Sequence, residues 1–166
     1  MAQSDIFLKI ETARAGPLRG ETSDPEFDGQ IDVVDWAWGM HSPVQAGGFT
    51  ASGRVQIKPV TIRKRADSAS TALMSALRSN DVVRKAVLSV RKAGGSKPVV
   101  CFTVTLEKGR ILSYDVSSGI DAQGAPTLLE TLTLGFTKIT VDYIGQDARG
   151  SRTAASSYSD EISTPA

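Results

Sequence analysis

Cysteine and histidine each occur once in this chain of 166 residues. A lone Cys101 forms no intramolecular disulfide and no CxxC metal knuckle. Any catalytic triad or imidazole-bound metal would depend on His41 alone, within a loop-like stretch. No segment approaches the length of a membrane-spanning helix. The start, Met1 to Ile6, has neither the basic nor the apolar region of a cleavable signal, so we expect a cytosolic product that could leave the cell only by a route needing no such signal. Net charge is nearly absent too: 19 basic and 18 acidic side chains leave +1, which excludes a uniformly nucleic-acid-coating or acidic solvating chain. At 17.6 kDa one compact domain should expose about 8,000 Å² and bury roughly 70% of its unfolded surface, enough for a core without covalent staples.

What charge there is lies unevenly. Residues 1–53 carry 3 basic and 8 acidic side chains, residues 54–97 carry 11 and 2, and residues 98–166 carry 5 and 8. A chain polarised in this way can attract copies of itself, basic middle to acidic ends. The same middle could instead meet phosphates, but it lacks the interleaved aromatics of a single-strand platform, and self-assembly is the preferred reading.

The hydrophobic pattern is mainly of period two. Ile6, Leu8 and Ile10 predict a first strand, and Val34, Trp36 and Trp38 share a face of a second, where two indoles would be core. Residues 39–53 have no period and read as a long loop. Val55 and Ile57 then set one phase and Val60 and Ile62 the other, with Pro59 between. One helix is expected from Asp67 or Ser68, either serving as cap, through Leu73, Ala76 and Leu77 to Ser79-Asn80. Residues 82–92 read as strand. Val100 to Leu106 and Leu112 to Val116 predict a hairpin turning at Gly109. Leu128 to Phe136 and Ile139 to Tyr143 occupy opposite phases with a slip near Thr137-Lys138. Two phase slips suit the corners of a strongly curved sheet, hence a closed or nearly closed barrel. Residues 145–166 lack periodicity and are expected to form a flexible tail behind a domain ending at 144.

Chemistry is scarce. Cys101 in an alternating strand reads as a small buried hydrophobe rather than a nucleophile. Asp32 and Asp35 fall on opposite strand faces, which argues against an acid–base pair and for interface charges. Gly16-Pro17-Leu18-Arg19-Gly20 lacks the Lys-Ser/Thr of a phosphate loop, and Gly94-Gly95-Ser96-Lys97 precedes a strand instead of a helix. No catalytic residue, cofactor or metal is assigned, and the description fits a structural or interaction protein.

Particular strings then matter. Asp5-Ile6-Phe7-Leu8-Lys9-Ile10, Gly20-Glu21-Thr22-Ser23-Asp24, Ile31-Asp32-Val33 with Trp36-Ala37-Trp38-Gly39, Ile62 through Ser70, and Glu130 through Ile139 with Tyr143 together resemble the Hcp family (haemolysin-coregulated proteins), tube-forming proteins of bacterial type VI secretion systems. Phe27 and Thr71 depart from it, standing where relatives commonly carry histidine and proline. The resemblance implies a mostly β chain, a β-barrel of two packed antiparallel sheets with one flanking α-helix. It further implies homohexameric rings that stack into an inner tube, with the spike protein, the contractile sheath and effector proteins in the channel as partners, and export with the tube; nucleic acid and membrane insertion are not expected. Within such a frame the stacking loop would be 39–53, with Gly39, Gly47, Gly48, Phe49 and Gly53 letting it project. Asp32, Asp35, Arg63, Lys64, Arg65, Arg91 and Lys92 are the candidate subunit-interface charges. The alternative is a barrel holding a small ligand near Trp36 and Trp38.

Overall fold

The computed structural model describes residues 5–43, 55–92, 99–149 and 151–162. Its strands are β1 (Ile6–Thr12), β2 (Gly16–Leu18), β3 (Ile31–Ala37), β4 (Met40–His41), β5 (Gln56–Ile57), β6 (Val60–Arg65), β7 (Val83–Lys92), β8 (Val99–Ile120), β9 (Pro126–Gly135), β10 (Lys138–Gln146) and β11 (Arg152–Glu161), with one helix, α1 (Ser70–Arg78). Antiparallel pairing runs β8-β7-β1-β3-β6-β9 and returns to β8, closing a six-stranded barrel, while β10 and β11 extend from the first half of β8 as a wing. Closure leaves no free edge inside the cycle. Its interior is filled by Leu8, Ile10, Ile31, Val33, Val60, Ile62, Leu88, Val104, Leu132 and Leu134, with Leu73 and Ala76 of α1 and Ile139 of β10 joining the same core.

The expected hairpin at Gly109 is instead one strand of 22 residues. Lys108 has φ 53°, and a Cβ on Gly109 would lie 1.9 Å from the Gly135 carbonyl oxygen. Glycine here permits a bend and close strand approach, not a chain reversal. Through that bend β8 passes from β7 and β10 to β9, its partner over Arg110–Ile120. The slip expected at Thr137-Lys138 is the matching corner between β9 and β10. A third lies in β3: Val33 opposes Lys64 and Asp35 opposes Arg63, so Val34 is bulged out and 40% exposed. The face expected to unite Val34 with Trp36 and Trp38 therefore splits, and the indoles are half-buried.

Helix α1 begins slightly later than its cap signal. Asp67 Oδ1 accepts the Ala69 N–H at 2.9 Å, capping the turn before the helix, and Ala69 occupies the cap position itself. Asn80 at φ 52° ends it, asparagine being tolerant of the left-handed region. The flexible tail is corrected as well. Arg152–Glu161 pairs along β10 as β11, and a boundary at 144 would cut β10. Most of its side chains are small or polar, and nearly all, Tyr158 included, are exposed, so no burial period marks it; the pairing is supplied by its neighbour.

Candidate functional site: the subunit surfaces

The residues expected to act as interface charges divide into two groups. Lys64 and Arg91 are interior. Lys64 is fully buried on the core face of β6, where its ammonium donates to Glu130 Oε1, to Asp67 Oδ1 at 2.9 Å and to Ser70 Oγ at 3.5 Å. Ser70 Oγ also donates to Glu130 Oε1 at 2.8 Å. Three elements, β6, β9 and the start of α1, are thus joined through one ammonium. Arg91 bonds Asp24 at 2.6 Å and approaches Asp5 at 3.5 Å and Glu26 at 3.6 Å. Its guanidinium stands 5.2 and 5.6 Å from the Phe7 and Phe27 ring centroids, which stack at 4.1 Å. Phe7 points away from the barrel core yet is fully buried because this clamp covers it. The Arg91 hydrogen bond holds the Asp24 carboxyl below the ordinary carboxylate value, against the opposing effect of burial. These two basic residues are spent inside the subunit, since an interior charge needs its partners at hand.

The second group is on the surface. Asp35 and Arg63 pair at 2.8 Å, both about half exposed, an arrangement worth little to stability. Arg65 and Lys92 are exposed and Asp32 is half-buried. Gly39 sits beside β4 with open space at its Cβ position. Gly47, Gly48, Phe49 and Gly53 lie outside the described residues. His41 is exposed in β4. Cys101, expected to be buried, is half-buried: it is the extra residue of a bulge, Phe102 pairing with Val90 and Val100 with Arg91. Among the described residues no group of three or more His, Cys, Asp and Glu converges, and none of their helices could span a membrane.

Near the indoles, where a small ligand was the alternative, Trp36 packs on Phe102 at 5.6 Å and Trp38 Nε1 donates to the Lys58 carbonyl at 2.8 Å. A groove of about 440 Å³ lies elsewhere, lined by Val82, Arg84, Glu107, Lys108, Lys138 and Glu161.

Sequence reasoning missed two surface features because both depend on strand register. Glu11, Lys85, Glu107, Lys138 and Glu161 stand directly opposite one another across five strands, a row of alternating charge. Two core-facing surfaces also run past the end of the barrel. On the β8–β9 arm, Val116, Leu128 and Ile120 continue the face of Leu132 but are 48%, 55% and 72% exposed. On the wing, Tyr143 and Tyr158 continue the face of Ile139 and are 49% and 43% exposed. Alternation alone marked Val116, Leu128 and Tyr143 as apolar positions; it could not say that about half of each stays exposed in the subunit.

Comparison with known proteins agrees with this architecture. Residues 7–143 match the family described as type VI secretion system effector, Hcp. Protein hcp1 of Pseudomonas aeruginosa is 34% identical over 150 residues, spanning 89% of this chain and 88% of that one. The crystal structure of an Hcp protein superposes with a TM-score of 0.80 at 18% identity, covering 94% of this chain and 98% of the other. A type VI secretion system effector from Yersinia pestis gives 0.73 at 20% identity, over 95% and 100%. The corner-bent barrel, its wing and the match spanning nearly all of its strands lead to one assignment: this chain belongs to the Hcp family of type VI secretion system proteins.

Proposed function

We propose that the chain is a non-catalytic tube subunit: copies close into a six-membered ring, rings stack into the inner tube of a type VI secretion system, and the tube carries effector proteins and is exported with them. The spike protein and the contractile sheath are its partners at the tube's end and exterior. One observation about the subunit carries this reading beyond family membership. Val116, Leu128 and Ile120 on the arm and Tyr143 and Tyr158 on the wing continue core-facing strand faces yet stay 43–72% exposed. Together with the edge of β11, which no other strand pairs among the described residues, those exposed faces suit a piece of a larger assembly. Asp32, Asp35, Arg63, Arg65 and Lys92 remain available to contacts between subunits, whereas Lys64 and Arg91 are engaged within one.

Light scattering on the purified protein tests the ring: a mass near six subunits with ring-shaped views in electron micrographs is expected, and a monomer at every concentration overturns it. For stacking we assign the 39–53 loop, with Gly47, Gly48 and Phe49 docking on the next ring. Deleting residues 46–49 should leave rings and abolish tubes; loss of the rings themselves would refute that assignment.

A further inference from the structure

We infer that the ring closes by the β8–β9 arm of one subunit laying its uncovered core-facing surface, Val116, Ile120 and Leu128, on the wing face of the next, at Tyr143 and Tyr158. The inference rests on the ring reading above and names the two surfaces that meet.

The arm is formed where β8 and β9 outrun the barrel. Glu130, opposite Val116 and joined to Lys64, is the last covered residue on that face. From that point outward Val116, Leu128 and Ile120 remain apolar and in phase, yet they are 48%, 55% and 72% exposed. A ribbon end meant for water would be expected to turn polar on both faces. The wing shows the complementary deficit. Its core face is sealed at Ile139 and opens through half-buried Val141 to Tyr143 and Tyr158.

A second copy is the occupant for two reasons. The two surfaces differ in the elements that form them, so a contact between them is heterologous and head-to-tail, the type that produces rings when its rotation closes. Charge agrees: residues 111–130 contain no lysine or arginine and offer Asp115 and Asp121, Glu130 being taken up by Lys64, while Lys92, Arg149 and Arg152 outnumber Asp147 at the open end of the wing and make no ion pair among the described residues.

Mixing complementary variants provides the test. One carries Ile120→Glu with Leu128→Glu, spoiling the arm, and the other carries Tyr158→Glu, spoiling the wing; all three positions are at least 43% exposed. Each alone should be a folded monomer by circular dichroism and light scattering. Mixed, one sound arm meets one sound wing, so the expected product is a dimer of twice the 17.6 kDa subunit mass that grows no further. If Tyr158→Glu unfolds the wing, Tyr143→Glu replaces it. Rings that survive either change, or two monomers that ignore each other at the highest soluble concentration, overturn this pairing and leave the ring reading standing. A wild-type chain that never assembles overturns the ring reading itself.

Discussion

Replacing Lys64 by methionine isolates the energetic role of the interior ion cluster. Lys64 and Glu130 are both fully inaccessible to solvent, and Asp67 is 90% covered. Removing the ammonium leaves Glu130 with the Ser70 hydroxyl alone, its second carboxylate oxygen already lacking a protein partner. Breaking one side of a buried pair costs about 3–5 kcal/mol. For a chain of this size each kcal/mol moves the melting temperature by about 2–4 °C, so Lys64→Met should lower it by about 6–20 °C. Glu130→Leu should cost less, because Lys64 keeps Asp67 at 2.9 Å. The double variant removes the fully buried pair and fills its site with apolar atoms, but leaves Asp67 only the Ala69 N–H on its Oδ1, so it should recover most, not all, of the Lys64→Met loss. Urea unfolding followed by Trp36 and Trp38 fluorescence measures all four corners of the cycle. A common arm-spoiled background at fixed protein concentration keeps subunit dissociation out of the comparison. A Lys64→Met cost under about 1 kcal/mol, or a double variant as unstable as the sum of the singles, would refute the reasoning.

Further outcomes follow from other sites. Asp24 and Asp81 both sit below the ordinary carboxylate value of 3.8, Asp24 chiefly through Arg91, Asp81 because hydrogen bonds from Thr12, Arg14 and Ala15 outweigh its burial. Their folded-state values are depressed, so the stability they contribute is complete above the unfolded value and is lost as pH falls below 3.8 through the folded values; Asp24→Asn with Arg91→Met should flatten the acid limb of a melting-temperature profile, and an unchanged limb would count against the Arg91 clamp. Gly109→Ala sets a methyl 1.9 Å from the Gly135 carbonyl oxygen and should cost about 2 kcal/mol or more by forcing β8 from β9, read as a lower urea midpoint. Leu73→Ala, at a fully buried position of α1, should cost about 2–5 kcal/mol in the same assay.

The sequence by itself determined much of the fold, because strands with one buried face alternate and one helix of clear period interrupts them. Ile6 to Ile10, Val60 to Ile62 and Leu132 to Leu134 could be placed from their spacing, and the slips near Pro59 and Thr137 already implied a sheet that turns corners. The ordered strings from Asp5 to Tyr143 pointed to the family as well. Only the tertiary structure decided which slips are corners and which are turns. Gly109 bends a strand because the Gly135 carbonyl crowds it, and no local propensity registers a contact between residues 26 positions apart in the chain. Tertiary structure also decided which charges face outward. Lys64 and Arg91 look like surface residues in a basic stretch, yet Glu130 lies 66 and Asp24 67 positions away in sequence, so the partners that permit their burial appear only when the barrel closes. The uncovered faces of arm and wing follow the same rule: alternation in a strand states that a side chain is apolar, while three-dimensional register states whether anything in the same subunit reaches it.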